Sequence, residues 1–505
     1  MMDRMDKGGI RTKSPQGRWV LFATVLGSGM AFLDGTVVNV ALPRLGHDLG
    51  ASMSGLQWTV NAYTLTLAGL ILLGGSLGDR YGRRKVFVTG VIWFAVASAL
   101  CGLAPNIQTL VAARALQGVG GALLTPGSLA IIQSSFARED RPRAVGAWSG
   151  LGGVAGAVGP LLGGWLVETA GWRWVFLINL PLAALTVAVA LRHVPETRDE
   201  AADGRFDVLG AALAALALAG ITYGLIERGS AVPVVAALAG VALGAAFVAL
   251  EVRRSRAGAA VSALVPVRVF SSREFTAVNV VTLIMYAAMG VVFFLLVVEL
   301  QVAAGFSPLA AGSSMLPVML LMLVLSPRAG ELGKRIGPRL PMTVGILLCT
   351  GGLVLMSRVG PGASYLLDVL PAVALFGLGL SAAVAPLTAT VLATAEERFA
   401  GVASGVNNAV ARTGGLLAVA AIPPLVGLTG AAYTSPEVFT AGFRSAILIS
   451  AAMMAGAALL TFLTIRTNAL GTPSRAAVPE RKAACNLDAP PLEPCEPSEE
   501  ARGRG

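Results

Sequence analysis

Long apolar stretches with little charge, each about the length of a membrane-crossing helix, follow one another along almost the whole of this chain. The hydrocarbon core of a bilayer is about 30 Å thick, and a helix needs roughly 20 apolar residues to cross it. Fourteen such segments can be read, at 19–42, 57–78, 86–104, 107–132, 144–167, 173–191, 207–226, 232–251, 275–300, 308–327, 340–357, 365–391, 401–428 and 441–465. They are apolar all round, rich in Ala, Gly, Leu and Val, whereas the strands of a membrane barrel alternate apolar with polar. Lipid offers the backbone no hydrogen-bond partner, so each segment is expected to be a helix. Hydrophobic residues make up 55% of the 505 and charged residues 13%, too little charge for the shell of a soluble protein of this size. The fold class expected is an all-α membrane protein.

An even number of spans places both termini on one side. With the N-terminus inside, the Arg80–Lys85 cluster, Arg138, Arg141, Arg143, Arg253, Arg254, Lys334, Arg335 and Arg339 fall on one face. The other face receives Arg44, Arg173, Arg228, Arg358 and at most Arg444. Basic residues concentrate on the cytoplasmic side of membrane proteins, so a multi-pass protein of the cytoplasmic (inner) membrane with cytoplasmic termini is expected. The net charge of +10 is thereby read as topogenic anchoring and contact with anionic lipid, not as a nucleic-acid patch. Two histidines, and four cysteines in no ligand spacing, argue against a metal site. Pro126, Pro160, Pro317, Pro371, Pro386 and Pro423 fall inside or near the ends of spans and mark expected kinks.

The chain repeats itself. Gly75-Ser76-Leu77-Gly78-Asp79-Arg80-Tyr81-Gly82-Arg83-Arg84 aligns without gaps on Gly330–Arg339, at an offset of 255. The same offset lays Gly150…Gly159-Pro160-Leu161-Leu162 over Gly405…Gly414-Gly415-Leu416-Leu417. Two matches at one offset imply a duplicated six-helix unit with the seventh and eighth helices inserted between the copies. The expected organisation is a cytoplasmic N-terminus at 1–18, a six-helix bundle at 19–191, a cytoplasmic loop at 192–206 and an inserted hairpin at 207–251. A cytoplasmic loop at 252–274, a second six-helix bundle at 275–467 and a disordered cytoplasmic tail at 468–505 complete it. Parallel halves of this kind are a transporter architecture, with a substrate cavity between them.

Individual residues narrow the chemistry. Asp34 stands in an otherwise apolar helix, where an ionised acid costs roughly 2.5–3.5 kcal/mol. At 1.5 Å per residue, Arg114 lies at a similar depth, roughly 10–14 Å below the outer boundary. Asp34 is therefore a candidate for binding and releasing a proton, tuned by Arg114 and Gln117; a structural contact between helices one and four is the alternative. In the loop after helix two, Gly75 and Gly82 permit a tight reversal, Arg80, Arg83 and Arg84 hold it at the surface, and Asp79 suits an ion pair or a helix N-terminus. In the second copy Lys334 replaces Asp79. Gly150, Gly156, Gly159, Gly163 and Gly164 on helix five allow close helix approach, and Pro160 bends it. Asn39, Asn61, Arg412 and Glu299 are candidates for a substrate cavity. Glu299 is read either as an acid reaching the outer headgroups or as an exit-side contact for a cationic substrate.

The Gly75–Lys85 loop resembles the cytoplasmic loop signature of the major facilitator superfamily. Leu33-Asp34-Gly35-Thr36-Val37-Val38-Asn39-Val40-Ala41-Leu42-Pro43 is similar to the first-helix signature of its fourteen-helix drug:proton antiporter family. Arg114-Ala115-Leu116-Gln117-Gly118-Val119-Gly120, Gly150…Gly164 and Trp172-Arg173-Trp174…Ile178-Asn179…Pro181 resemble its fourth-, fifth- and sixth-helix patterns. The resemblance implies a major facilitator fold and proton-coupled export of small amphipathic compounds by alternating access, with the fifth helix at the interface between the halves. The transporter would be a monomer without cofactor, driven by the proton gradient. The chain shows neither a phosphate loop for a nucleotide nor a catalytic constellation, so no enzymatic activity is expected. A dedicated exporter of one metabolite or self-made antibiotic is the nearest alternative, and a transport-dead sensor the more distant one.

Overall fold

The computed structural model describes residues 9–198, 207–257, 267–395, 400–467 and 469. The expected tail at 468–505 lies, apart from Ala469, outside the described residues. These residues form helices and no strand, save one isolated bridge between Ile10 and Phe136. The membrane-length helices are α1 (Pro15–Leu49), α2 (Met53–Tyr81), α3 (Arg83–Gly102), α4 (Ile107–Ser135), α5 (Arg141–Thr169) and α6 (Trp174–His193). After α7 (Val208–Ile226) and α8 (Ala231–Ala257) come α9 (Arg273–Val302), α10 (Pro308–Ile336), α11 (Arg339–Met356) and α12 (Tyr365–Ala393). α13 (Ala400–Leu425) and α14 (Pro436–Thr464) complete the set.

Thirteen of these are long and apolar enough to cross a membrane. α13, at 26 residues, is long enough, but Asn407, Asn408 and Arg412 lower its hydropathy. Several helices outrun their apolar segments because their ends are capped in polar surroundings. Ser14 accepts a hydrogen bond from the Gly17 amide and Pro15 opens the first turn, so α1 begins ahead of residue 19. Gly50, at φ 57°, closes its other end. Of the expected kinks, Pro317 and Pro371 instead occupy the first turn of a helical segment, where a missing N–H costs nothing.

The two halves are built alike. In the first bundle α2 packs on α4, α3 on α4, α1 on α5 and α6, and α3 on α6. In the second, α10 packs on α12, α11 on α12, α9 on α13 and α14, and α11 on α14. Each pairing of the first half recurs in the second, and α10 is α2 moved by the same 255 residues. The inserted hairpin closes by small residues: a Cβ on Gly220 would lie 2.5 Å from the Ala236 oxygen and one on Gly240 2.7 Å from the Ile221 nitrogen. α7 lies against α2 and α13, the two helices that meet across the halves at this side.

The halves are joined by polar contacts at one end. At the end away from the Gly75–Lys85 loop, the Gln301 amide donates to the Val40 oxygen (3.0 Å) and the Tyr433 hydroxyl to the Ala51 oxygen (2.7 Å). Glu168 accepts from the Ser307 hydroxyl and the Leu309 amide, at 3.0 and 3.2 Å. Toward the loop end, a Cβ on Gly146, Gly150, Gly153 or Gly156 of α5 would meet nothing within 4 Å. At that end α2 and α13 still touch, a Cβ on Gly405 standing 3.0 Å from Leu72, so the contact between halves is continuous along that seam while this face of α5 is uncovered.

Candidate functional site

Asp34 is fully buried and lies at the centre of a network drawn from five of the six helices of the first bundle, α1, α2, α3, α4 and α6. Its Oδ2 accepts from a terminal nitrogen of Arg114 at 2.5 Å, and its Oδ1 from the Gln117 amide at 2.8 Å. Arg114 also donates through Nε to the Thr59 carbonyl on α2 (2.9 Å) and to the Gln117 oxygen (2.6 Å). The Tyr63 ring lies 4.4 Å from the guanidinium carbon, a cation–π contact. Sequence reasoning placed Asp34, Arg114 and Gln117, and the structure brings them together. It missed Ser98 and Asn179 as parts of the network. The Asn179 amide donates to Asp34 Oδ1 (3.3 Å) and to the Ser98 hydroxyl (3.0 Å). The Gln117 amide also reaches that hydroxyl at 3.2 Å. Both residues are polar interruptions of apolar spans, which was the signal available.

Chemically, this is a carboxylate that can exist charged in a hydrocarbon interior only because a guanidinium and two amides compensate it. Any movement of α4 relative to α1 that lengthens the Arg114 contact leaves the buried carboxylate without its counter-charge.

The loop signature also resolves into contacts. Arg83 donates twice to Asp79 Oδ1, through Nε at 2.9 Å and a terminal nitrogen at 2.7 Å. Gly82 lies between the two helices at φ 107°, and a Cβ there would stand 2.7 Å from a Glu196 oxygen. That carboxylate accepts the Arg84 and Lys85 amides (3.1 and 3.2 Å), capping the N-terminus of α3. Arg84 donates to the Val194 carbonyl (3.1 Å), and Arg80 lies 5.9 Å from the Tyr81 ring centroid. In the second copy the ion pair is Arg335 with Glu331, largely exposed.

On α5 the glycines divide. A Cβ on Gly159 would fall 2.0 Å from Thr36 Oγ1, one on Gly163 3.0 Å from the Val37 oxygen, and one on Gly164 2.5 Å from the Pro308 oxygen. These pack as expected against α1 and the start of α10. Gly150 and Gly156 face open space. Pro160 has no N–H for the carbonyl four residues earlier, and the Thr36 hydroxyl donates to that Gly156 oxygen at 3.3 Å.

The same logic recurs more forcefully on α13. Pro423 and Pro424 leave the carbonyls of Val419 and Ala420 without helical donors. Gln57, on α2 of the other half, donates its amide to both, at 2.6 and 3.1 Å. One side chain thus satisfies two carbonyls freed by adjacent prolines across the closed end.

The candidate cavity residues are not one cluster. Asn61 is 1% exposed and neither its oxygen nor its nitrogen has a partner; the Asn39 oxygen is likewise unpartnered. Arg412 is half-buried and donates to Asn408 at 2.8 Å; among the described residues no carboxylate pairs with it. Glu299 corrects its expectation. It reaches neither headgroups nor an open cavity but is fully buried, accepting from the Thr440 hydroxyl of α14 at 2.6 Å. Gly360, 3.2 Å from the Thr440 methyl once given a Cβ, marks how tightly the α11–α12 turn closes over that pair.

Residues 24–419 match the sequence profile of the Major Facilitator Superfamily. The chain is 36% identical over 431 residues to a "Probable actinorhodin transporter" of Streptomyces coelicolor, covering 83% of this chain and 74% of that protein. It is 35% identical over 460 residues to the puromycin resistance protein pur8 of Streptomyces alboniger, covering 88% and 90%. Among solved structures, a POT family transporter in complex with 5-aminolevulinic acid shares the fold at TM-score 0.70 and 12% identity, over 92% of this chain and 99% of that one. The paired six-helix bundles, the buried acid network and the matched profile together place this chain in the Major Facilitator Superfamily, as a multi-pass membrane transporter.

Proposed function

We propose that the protein exports small amphipathic drugs or antibiotics across the cytoplasmic membrane in exchange for protons. The observation that carries this reading is Asp34, an acid fully buried within a membrane-length helix and paired with Arg114 of a neighbouring helix. A proton entering down its gradient supplies about 2.3 kcal/mol per 100 mV and about 1.4 kcal/mol per pH unit. Taken up by Asp34, it releases Arg114 and lets the bundles rearrange. The basic loops put the Gly75–Lys85 end, and with it both termini, in the cytoplasm. In this reading Asp79 and Arg83 are part of the switch at the cytoplasmic surface and the α5 glycines are the surface on which the halves move. The transporter acts as a monomer embedded in lipid and needs no cofactor beyond the proton gradient. Similarity to antibiotic resistance and export proteins supports the substrate class. The printed name of the actinorhodin relative favours a second reading, a dedicated exporter of one self-made antibiotic.

The test is transport in proteoliposomes under an imposed pH gradient, comparing wild type with Asp34→Asn and checking that the variant remains monodisperse. Wild type is expected to move an amphipathic fluorophore against its gradient while protons flow inward; Asp34→Asn is expected to lose the coupled flux. Coupled pumping by Asp34→Asn at the wild-type rate would remove Asp34 from the mechanism.

A further inference from the structure

The first bundle carries a basic corner at the loop end, where α1 and α5 both begin. A cavity of about 250 Å³ there is lined by Lys13, Arg18 and Arg143, with Leu21, Ala144 and Ala147 as its apolar wall. The three cations are exposed, and among the described residues none of their side chains forms an ion pair or a hydrogen bond. Arg11, close by in sequence, differs in being paired with Glu139 at 3.0 Å. The acid that interacts electrostatically with Arg143 is Asp140, and its carboxylate is turned to the chain, accepting from the Thr12 amide at 2.8 Å. Three cations thus stand against one carboxylate.

The corner is held in place by the chain itself. The Ile10 amide donates to the Ser135 carbonyl at 2.8 Å and the Ala137 amide to the Ile10 carbonyl at 3.1 Å, so the segment ahead of α1 is strapped to the α4–α5 connection. The Thr12 bond on one side and the Ser14 cap on the other fix Lys13 between them. Asp140 gives α5 no side-chain cap, so the positive ends of two helix dipoles add to the three cations.

From the cations the wall leads into the membrane. Ala147 shares a face of α5 with Leu151, Val154 and Val158, at spacings of four, three and four residues, and those three side chains are exposed. On α1, Phe22 lies one turn beyond Arg18 and is exposed, as is Trp19, a residue type that settles at the membrane boundary. Unpaired cations at the boundary with an exposed apolar stripe beneath them match a molecule with an anionic head and a hydrocarbon tail. Basic pockets between membrane helices bind phosphate headgroups in this way.

We propose that this corner binds an anionic phospholipid, whose phosphate sits among Lys13, Arg18 and Arg143 and whose acyl chain follows the α1–α5 groove past Ala147 and Leu151. Bound there, it ties the start of the helix that carries Asp34 to the start of α5.

The experiment titrates the full chain in detergent with phosphatidylglycerol or phosphatidylcholine of identical acyl chains, reading bound lipid by native mass spectrometry. Each cation near an anionic headgroup contributes on the order of fivefold, so wild type is expected to prefer phosphatidylglycerol about a hundredfold. Arg18→Gln alone is expected to lower that preference about fivefold, and Lys13→Gln/Arg18→Gln/Arg143→Gln to abolish it. Arg253→Gln/Arg256→Gln/Lys334→Gln, which removes three cations elsewhere at the same end, is expected to keep it. Ala147→Phe, which fills the groove, is expected to weaken phosphatidylglycerol binding with all three cations intact. Thermal melting in phosphatidylcholine checks the fold of each variant, and the single changes keep the test open should the triple variant not fold. A preference that survives in the Lys13/Arg18/Arg143 variant overturns the site. So does an equal loss in the distant triple variant, which would mean general attraction to the basic face. Displacement of the lipid by equimolar glycerol 3-phosphate would assign the corner to a soluble phosphate and overturn the lipid.

Discussion

At the scale of single residues, the first bundle is organised around compensating one charge. Asp34 and Arg114 are each at most 1% exposed, and removing either partner leaves a lone ion in a medium that cannot solvate it. Arg114→Ala is expected to destabilise the folded protein by about 3–5 kcal/mol, read as thermal or denaturant unfolding in detergent. Removing Asp34 as well, in Asp34→Ala/Arg114→Ala, is expected to cost less than the two single changes together, with a coupling of about 1–3 kcal/mol. Additive losses would mean that the two side chains do not act as a pair. This part of the site was readable from the sequence because a charge in an apolar span stands out wherever its helix packs. Glu299 was not read correctly for the complementary reason. Its distance from the end of α9 suggested access to headgroups, but α14 and the Gly360 turn close over it, and neither is near it in sequence.

At the scale of elements, prolines and glycines decide how helices meet. Gln57 satisfies two carbonyls that Pro423 and Pro424 leave free, and each unmet buried acceptor costs about 1–3 kcal/mol. When the closed end opens, water can hydrate those carbonyls, so the contact favours the closed state specifically. Gln57→Leu is expected to raise labelling of an Ala311→Cys reporter by a membrane-impermeant thiol reagent about tenfold or more, in a background lacking the native cysteines. Restoring the helical donors with Pro423→Ala/Pro424→Ala should make the labelling rate insensitive to residue 57. On α5, Gly159→Ala is expected to destabilise by about 1–3 kcal/mol, since its methyl would occupy the Thr36 hydroxyl's place. Gly150→Ala, facing open space, should change the unfolding midpoint by less than about 0.5 kcal/mol in free energy. The glycine spacing was plain in the sequence; which glycines touch another helix in this state was not.

At the scale of the whole molecule, two alike bundles are tied by polar contacts at one end, with α7 of the inserted hairpin against the α2–α13 seam. If transport requires the closed end to open, a tether across it must stop the cycle. Glu168→Cys/Ser307→Cys joined by a short thiol-reactive cross-linker is expected to abolish transport, with activity returning when a cleavable linker is cut. Undiminished transport in the cross-linked protein would show that the halves do not move apart there. The unlinked double variant controls for loss of the Glu168 hydrogen bonds themselves.

The spans, the duplication and three residues of the buried acid network, Asp34, Arg114 and Gln117, were legible because each is a local property. Lipid sorts a chain by hydropathy segment by segment, and a repeat is visible wherever it occurs. α13 was recognised as a span in spite of Arg412 because length and the repeat carried it. What the tertiary structure alone decided is the facing of helices distant in sequence: Gln57 beneath Val419 and Ala420, and Glu299 behind Thr440. Lipid supplies no directional force between helices, so these placements follow from close packing at small residues and from the pairing of polar groups left free. Both are settled only when all the helices are present together.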